Sequence, residues 1–369
     1  MDEQTDFREA ANWGISPAQL DGVWEPIREA IRQKLIPGAT AAILWKGGQI
    51  SYASGLAVDT KEKAVPARFN TIYDCASLTK VVATLPVLLL LIDQGKLKLE
   101  DPVVHYVPEF DHGGKREITI RHLLTHTSGL AASEDFHTQA WDLERILRSI
   151  GNKPLSYEPG KQVIYSDLGF ILLGVIAARL LNMNLDQAAK QWIFSPLGML
   201  ETGYCPPSEL LPRIAATELS QETGTYWHGV VHDENARAAG GISGHAGLFS
   251  TAGDLLKYAR MWLNSEDSIH HSVLSPSVIA ASTGLQTSGI SGSRRGLGWV
   301  LKGDQADVSG SFSSEAYGHT GFTGTSLYFD PQLDLAAVLL TNRVHYGRGQ
   351  NITQLRSDFH DAAAALIRP

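Results

Sequence analysis

Apolar residues first recur at helical spacing. Leu20, Val23, Ile27 and Ile31 follow Ser16-Pro17, where serine suits an N-cap and proline the first helical position. Pro37-Gly38 ends that element. The period then changes: two β-prone runs, 39–45 and 49–55, flank Lys46-Gly47-Gly48 and predict a hairpin. The run 81–92 is the longest apolar stretch, contains Pro86, and is too short to span a bilayer. It predicts a helix buried on all sides. Further helical patterns lie at 120–125, 141–150, 168–181 and 185–194, separated by Lys153-Pro154, Glu158-Pro159-Gly160 and Ser195-Pro196-Leu197-Gly198. The glycine-rich stretch 203–247 has no period and reads as loop. A helix over 250–263, capped by Ser250 or Thr251, follows. Strand patterns return at 298–301, and at 326–329 and 335–340 across Asp330-Pro331; a helix over 352–367 closes the chain.

Strands and helices at both ends with helices between predict an α+β fold. An antiparallel sheet flanked by terminal helices would be built from 1–75 and 245–369, with a mostly helical lobe inserted at 76–244, the two forming one catalytic unit. Composition leaves this picture unchanged: the 369 residues are 43% hydrophobic and 19% charged, enough chain for a sizeable core. The 31 basic and 39 acidic residues give a net charge of −8, which argues against nucleic acid as a partner. Cys75 and Cys205 make no disulfide framework and have no metal-ligand spacing. The N-terminus lacks the basic and apolar regions of a signal peptide, an expectation compatible with a cytoplasmic protein or a mature exported one.

The candidate chemistry starts at Ser77 and Lys80, the only Ser-x-x-Lys in the chain. Residues three apart share a helix face, and a helix start supplies unpaired N–H groups where negative charge would develop. A serine hydroxyl needs a base, and a buried lysine or a tyrosine acidified by that lysine can provide one. Two later patterns could complete such a site: Tyr165-Ser166-Asp167 at a helix entry, and Gly318-His319-Thr320-Gly321-Phe322-Thr323-Gly324 before the 326 strand. No serine has glycine two positions away on both sides, so the α/β-hydrolase signature is absent.

In this order the three motifs resemble those of the penicillin-recognising serine hydrolases: class C β-lactamases, DD-peptidases and related esterases. The stretches 95–103 and 120–130 also look like family segments. The stretches 231–236 and 240–249, with 165–170, are similar to the branch containing N-acetylmuramoyl-L-alanine amidases. The resemblance implies the β-lactamase/transpeptidase-like fold, an acyl-enzyme on Ser77 and no cofactor or metal. It implies proton transfer shared by Lys80 and Tyr165, His319 and Thr320 in the third motif, and an oxyanion hole from the Ser77 and Phe322 amides beside Gly321. Which of Lys80 and Tyr165 is the base stays open. Expected substrates are small acyl esters, amides or peptidoglycan-derived fragments.

Two residues depart from the family pattern. Asp167 stands where asparagine is frequent and could pair with Lys80, favouring the charged amine. His319 stands where β-lactamases carry lysine, which disfavours strong β-lactamase or DD-carboxypeptidase activity. A non-catalytic protein that captures cell-wall peptide or penicillin is the rival reading. His122 and His126 stand four apart, but Leu-Leu-Thr between them offers no glutamate, so they read as a structural pair rather than metal ligands. His232-Asp233-Glu234 could bind a metal, line the cleft or form a loop network.

Overall fold

A computed structural model describes residues 3–6, 10, 12–139, 142–263 and 273–367. The main sheet takes strands from both ends of the chain: β1 (Gln4–Asp6), β2 (Gly38–Trp45), β3 (Gly48–Asp59), β4 (Ala64–Pro66), β8 (Val300–Leu301), β9 (Tyr317–Thr320), β10 (Ser326–Asp330) and β11 (Leu335–Thr341). Its order is β1-β3-β2-β11-β10-β9-β8, with β4 on β3, and each pairing is antiparallel. A second, small sheet joins β5 (Tyr73–Asp74), β6 (Gly203–Tyr204) and β7 (Leu248–Ser250) in the order β5-β7-β6. The predicted hairpin is present as β2–β3, closing at Trp45 opposite Gly48.

Both faces of the sheet are covered, which explains why 335–340 is apolar without alternation. Leu335, Ala337 and Leu339 face α1 (Pro17–Arg32) and the C-terminal helix (Thr353–Ile367), where Trp24 stacks on Tyr52 at 5.0 Å. Ala336, Val338 and Leu340 face the larger core, with the helix Ala252–Trp262 and the Trp262–Trp299–Tyr317–Phe329 ring cluster. That core continues into α2 (Leu85–Asp93) and α3 (Asp167–Leu181), so sheet and inserted helices share one interior. Ser16 caps α1 as expected, with a reciprocal bond to Gln19.

Several expectations need correction. The 81–92 run is buried, but it begins as a wide turn, Lys80–Thr84, before becoming α-helical at Leu85, just ahead of Pro86. The 203–247 stretch holds two short helical pieces, Ser208–Arg213 and Glu234–Ala238. The helix read over 141–150 is Leu143–Asn152; Trp141 lies outside the described residues. The stretch read as lying before the 326 strand begins with a strand of its own, and His319 is part of it. That strand is β9, with β8 as the sheet edge beyond. Both cysteines are free, Cys75 buried and Cys205 exposed. No single described helix is long and apolar enough to cross a membrane.

Candidate active site

The turn that carries Ser77 is set by its neighbours. After β5, Cys75 N–H donates to the Leu248 carbonyl (2.8 Å) and Ala76 N–H to Asp74 Oδ1 (2.8 Å). Ala76 takes a left-handed φ of +46°, a strained conformation for a residue with a Cβ, and it swings the next side chain out of the strand. Successive tight bonds then start the helix, ending with Lys80 N–H to the Ser77 carbonyl (3.1 Å). One turn later, Lys80 Nζ donates to Ser77 Oγ (3.0 Å) and to the His245 carbonyl (3.0 Å). The predicted shared face of Ser77 and Lys80 is present.

Tyr165 enters from the start of α3. Ser166 is the N-cap, its hydroxyl donating to the Ala131 carbonyl (2.6 Å), and Asp167 N–H donates to the Ala132 carbonyl (2.8 Å). Asp167 therefore opens a helix, where a carboxylate is favoured. Its Oδ1 lies 2.7 Å from Lys80 Nζ, the pairing expected from the sequence. Lys80 is fully buried and also sits over the Tyr165 ring at 4.9 Å. Burial alone would push the Lys80 amine down, but Asp167 and Tyr165 outweigh it and hold the amine above its ordinary value. The Tyr165 phenol is also pushed up: burial dominates, Lys80 opposes it and Asp167 adds to it. Both groups thus hold their protons firmly at rest.

The third motif is pressed against the serine turn. Thr323 Oγ1 donates to the Asp74 carbonyl (2.7 Å) and Thr325 Oγ1 to the Cys75 carbonyl (3.0 Å). A Cβ on Gly321 would come within 2.1 Å of Thr325 Oγ1 and 2.5 Å of the Cys75 carbonyl oxygen, so only glycine permits this approach. Among the described residues, neither the Ser77 nor the Phe322 amide donates to another group. These are the two amides expected to form the oxyanion hole.

His319 is buried on β9, its ring centroid 5.9 Å from that of Tyr165. Nδ1 donates to the Thr320 carbonyl (2.8 Å), which leaves Nε2 as a lone pair with no partner. Burial first, then Lys80 and Arg295, lower its pKa to about 3, so it is a neutral acceptor across the ordinary pH range. Ser77, Tyr165, Asp167, His319, Thr320 and Phe322 line one cleft of 720 Å³.

Sequence reasoning missed other residues of this site. Arg295 lies on the cleft wall, buried, with Nη2 on Asp304 Oδ1 (3.2 Å) and Nε and Nη1 unpartnered. The His245 carbonyl fixes Lys80 from 165 positions away, and its Nε2 meets Asp233 Oδ1 (2.9 Å). Arg295 has no local motif that would reveal it, and the 240–249 stretch that contains His245 assigns that residue no role. The His232-Asp233-Glu234 segment lines the cleft, but its groups are engaged in a loop network: His232 Nε2 with Glu218 (2.9 Å), Asp233 with His245, and Glu234 with Arg348. His122 and His126 do not act as a pair. His122 Nδ1 accepts from Thr119 N–H (3.2 Å) at a helix start, whereas His126 lies beyond that helix. Among the described residues, no group of three His, Cys, Asp or Glu side chains could hold a metal ion.

The family description Beta-lactamase matches residues 26–359. A protein of Escherichia coli (strain K12) named "Putative D-alanyl-D-alanine carboxypeptidase" is 34% identical over 316 residues, covering 77% of this chain and 72% of that protein. The solved structure of EstCE1, described as a hydrolase with promiscuous acyltransferase activity, superposes with a TM-score of 0.75 at 23% identity, over 94% of this chain and 98% of its own. A class C beta lactamase from Rhodobacter sphaeroides gives 0.72 at 21% identity, over 92% and 98%. The two structures share the β-lactamase/transpeptidase-like fold expected from the sequence. Since the family match runs through almost the whole chain, from α1 into the C-terminal helix, this protein belongs to the β-lactamase family of serine hydrolases.

Proposed function

We propose that the protein hydrolyses ester or amide bonds through an acyl-enzyme on Ser77, with peptidoglycan-derived peptides as the natural substrate class. The observation that carries this reading is buried Lys80, whose Nζ lies 3.0 Å from Ser77 Oγ and pairs with Asp167, while Ser77 and Asp167 themselves line the cleft. Ser77 Oγ attacks the acyl carbon, and its proton passes to the coupled Lys80–Tyr165 pair. The oxyanion is received by the Ser77 and Phe322 amides. The pair returns the proton to the departing alcohol or amine as the C–O or C–N bond breaks. Water then attacks the acyl carbon, giving a proton to the pair; the Ser77 Oγ–acyl bond breaks to release the acid, and the pair returns that proton to Ser77 Oγ. His319 Nε2 supplies a neutral acceptor near Tyr165.

The relatives named for carboxypeptidase activity, and the Arg295 guanidinium on the cleft wall, support a substrate with a carboxylate beyond the scissile bond. Arg295→Gln is expected to raise KM for an N-acyl-D-alanyl-D-alanine peptide about tenfold while leaving a neutral p-nitrophenyl ester within about twofold. Comparing the two substrates tests the reading. Equal effects on both would remove Arg295 from substrate recognition, and no release of D-alanine would confine the activity to other esters and amides.

The resting protonation of the site sets a pH dependence. With Lys80 and Tyr165 both raised above their ordinary values, the form lacking one proton is scarce near neutrality and grows as pH rises. kcat/KM is therefore expected to rise into the alkaline range. Asp167→Asn removes the negative charge that raises both groups, so the rising limb should move to lower pH by about one unit or more. An unmoved limb in a pH–rate profile would contradict the assigned proton inventory.

A further inference from the structure

His126 takes a left-handed φ of +58° although it is not glycine, and its side chain is buried. Such strain persists only where surrounding contacts dictate it. Those contacts converge on Tyr165. The His126 carbonyl accepts from Ile164 N–H (3.0 Å), and His126 Nδ1 accepts from Ser166 N–H (3.0 Å). One residue thus holds the backbone amides on both sides of Tyr165. Its ring also packs 4.6 Å from the Tyr165 ring and 5.3 Å from Phe170, and its carbonyl takes a further bond from the Tyr157 hydroxyl (3.2 Å).

The Tyr165 hydroxyl is buried and makes no hydrogen bond of ordinary geometry, although Lys80 and Ser77 lie near enough to affect its acidity. The phenol is therefore aimed from behind, through its backbone and ring face. Because Nδ1 accepts, neutral His126 carries its proton on Nε2. Burial, Arg295 and Lys80 hold the imidazole well below its ordinary pKa, so Nδ1 stays available as an acceptor.

We propose that His126 is the positioning residue for Tyr165, fixing the phenol oxygen within reach of Ser77 and Lys80 by clamping residues 164 and 166. This rests on Tyr165 belonging to the proton-transfer pair. The clamp also gives a role to the unusual backbone at 126, which a residue serving only to fill the core would not need.

The test measures acylation of the full chain by a p-nitrophenyl ester before the steady state, with KM and melting temperature recorded alongside. His126→Leu keeps the bulk but removes the acceptor, and acylation should slow at least about tenfold with KM within about twofold. His126→Asn places Oδ1 where Nδ1 was and tolerates the left-handed backbone, so it should keep acylation within about threefold. In a Tyr165→Phe background, His126→Leu should cost less than about twofold more, since no phenol oxygen remains to be aimed. His126→Gly lacks the acceptor but relieves the strain, and stands in if the leucine variant fails to fold, with the same loss expected. Wild-type acylation in His126→Leu, or the same loss with and without the Tyr165 hydroxyl, would overturn the proposal alone. Wild-type acylation in Tyr165→Phe would overturn the role of Tyr165 as well.

Discussion

Replacing Ser77 by alanine is expected to lower turnover of a p-nitrophenyl ester by about three orders of magnitude or more, with no burst. The size follows from removing the group that carries the acyl intermediate in the proposed reaction. What remains is the cleft, the two free amides and any direct attack by water, which accounts for a residual rate. The fold should barely respond. Ser77 Oγ has Lys80 Nζ as its partner, and Lys80 keeps the His245 carbonyl and Asp167 when that oxygen is gone. A stability change of about 1 kcal/mol or less is expected from the lost hydrogen bond. A large loss of rate at nearly constant melting temperature separates a nucleophile from a structural serine. Thermal unfolding and ester hydrolysis on the same preparation check both halves.

Lys80→Met should also cost about two to three orders of magnitude in kcat, but with a structural penalty. Lys80 is wholly inside, and its removal leaves the His245 carbonyl without its donor and Asp167 without its cation. Removing one partner of a buried pair costs more than the pair itself contributes, so a destabilisation of about 1–3 kcal/mol is expected. Asp167 retains about a quarter of its side-chain exposure, so water can relieve part of that cost. Adding Asp167→Asn to Lys80→Met should recover stability without recovering activity. Recovery of both, measured by denaturant unfolding and ester hydrolysis, would mean that Lys80 serves the fold rather than the reaction.

Much of this arrangement was legible from local sequence. Ser16-Pro17 marked the start of α1, and the Gly47-Gly48 turn fixed the β2–β3 register. The shared face of Ser77 and Lys80 follows from three-residue spacing, and the Asp167–Lys80 pair from the resemblance, which sets a carboxylate where asparagine is frequent. What escaped depends on distant chain. β1 and β9 are short and carry polar residues, because sheet neighbours rather than their own patterns hold them extended. The π-type turn at Lys80–Thr84 leaves no mark in an apolar run that fits an ordinary helix equally well. His245 contributes a backbone carbonyl, which any residue could supply. The i, i+4 spacing of His122 and His126 misleads because the helix ends at Leu124, and a positive φ at His126 sets its ring against Tyr165.

The most direct test of the account is the mass of the intact protein during turnover of a slow p-nitrophenyl ester, stopped with acid and followed by peptide mapping. The account expects one acyl group per chain on the peptide containing Ser77, and none in Ser77→Ala. Turnover with no acyl group on Ser77, or with the group on another residue, would contradict it.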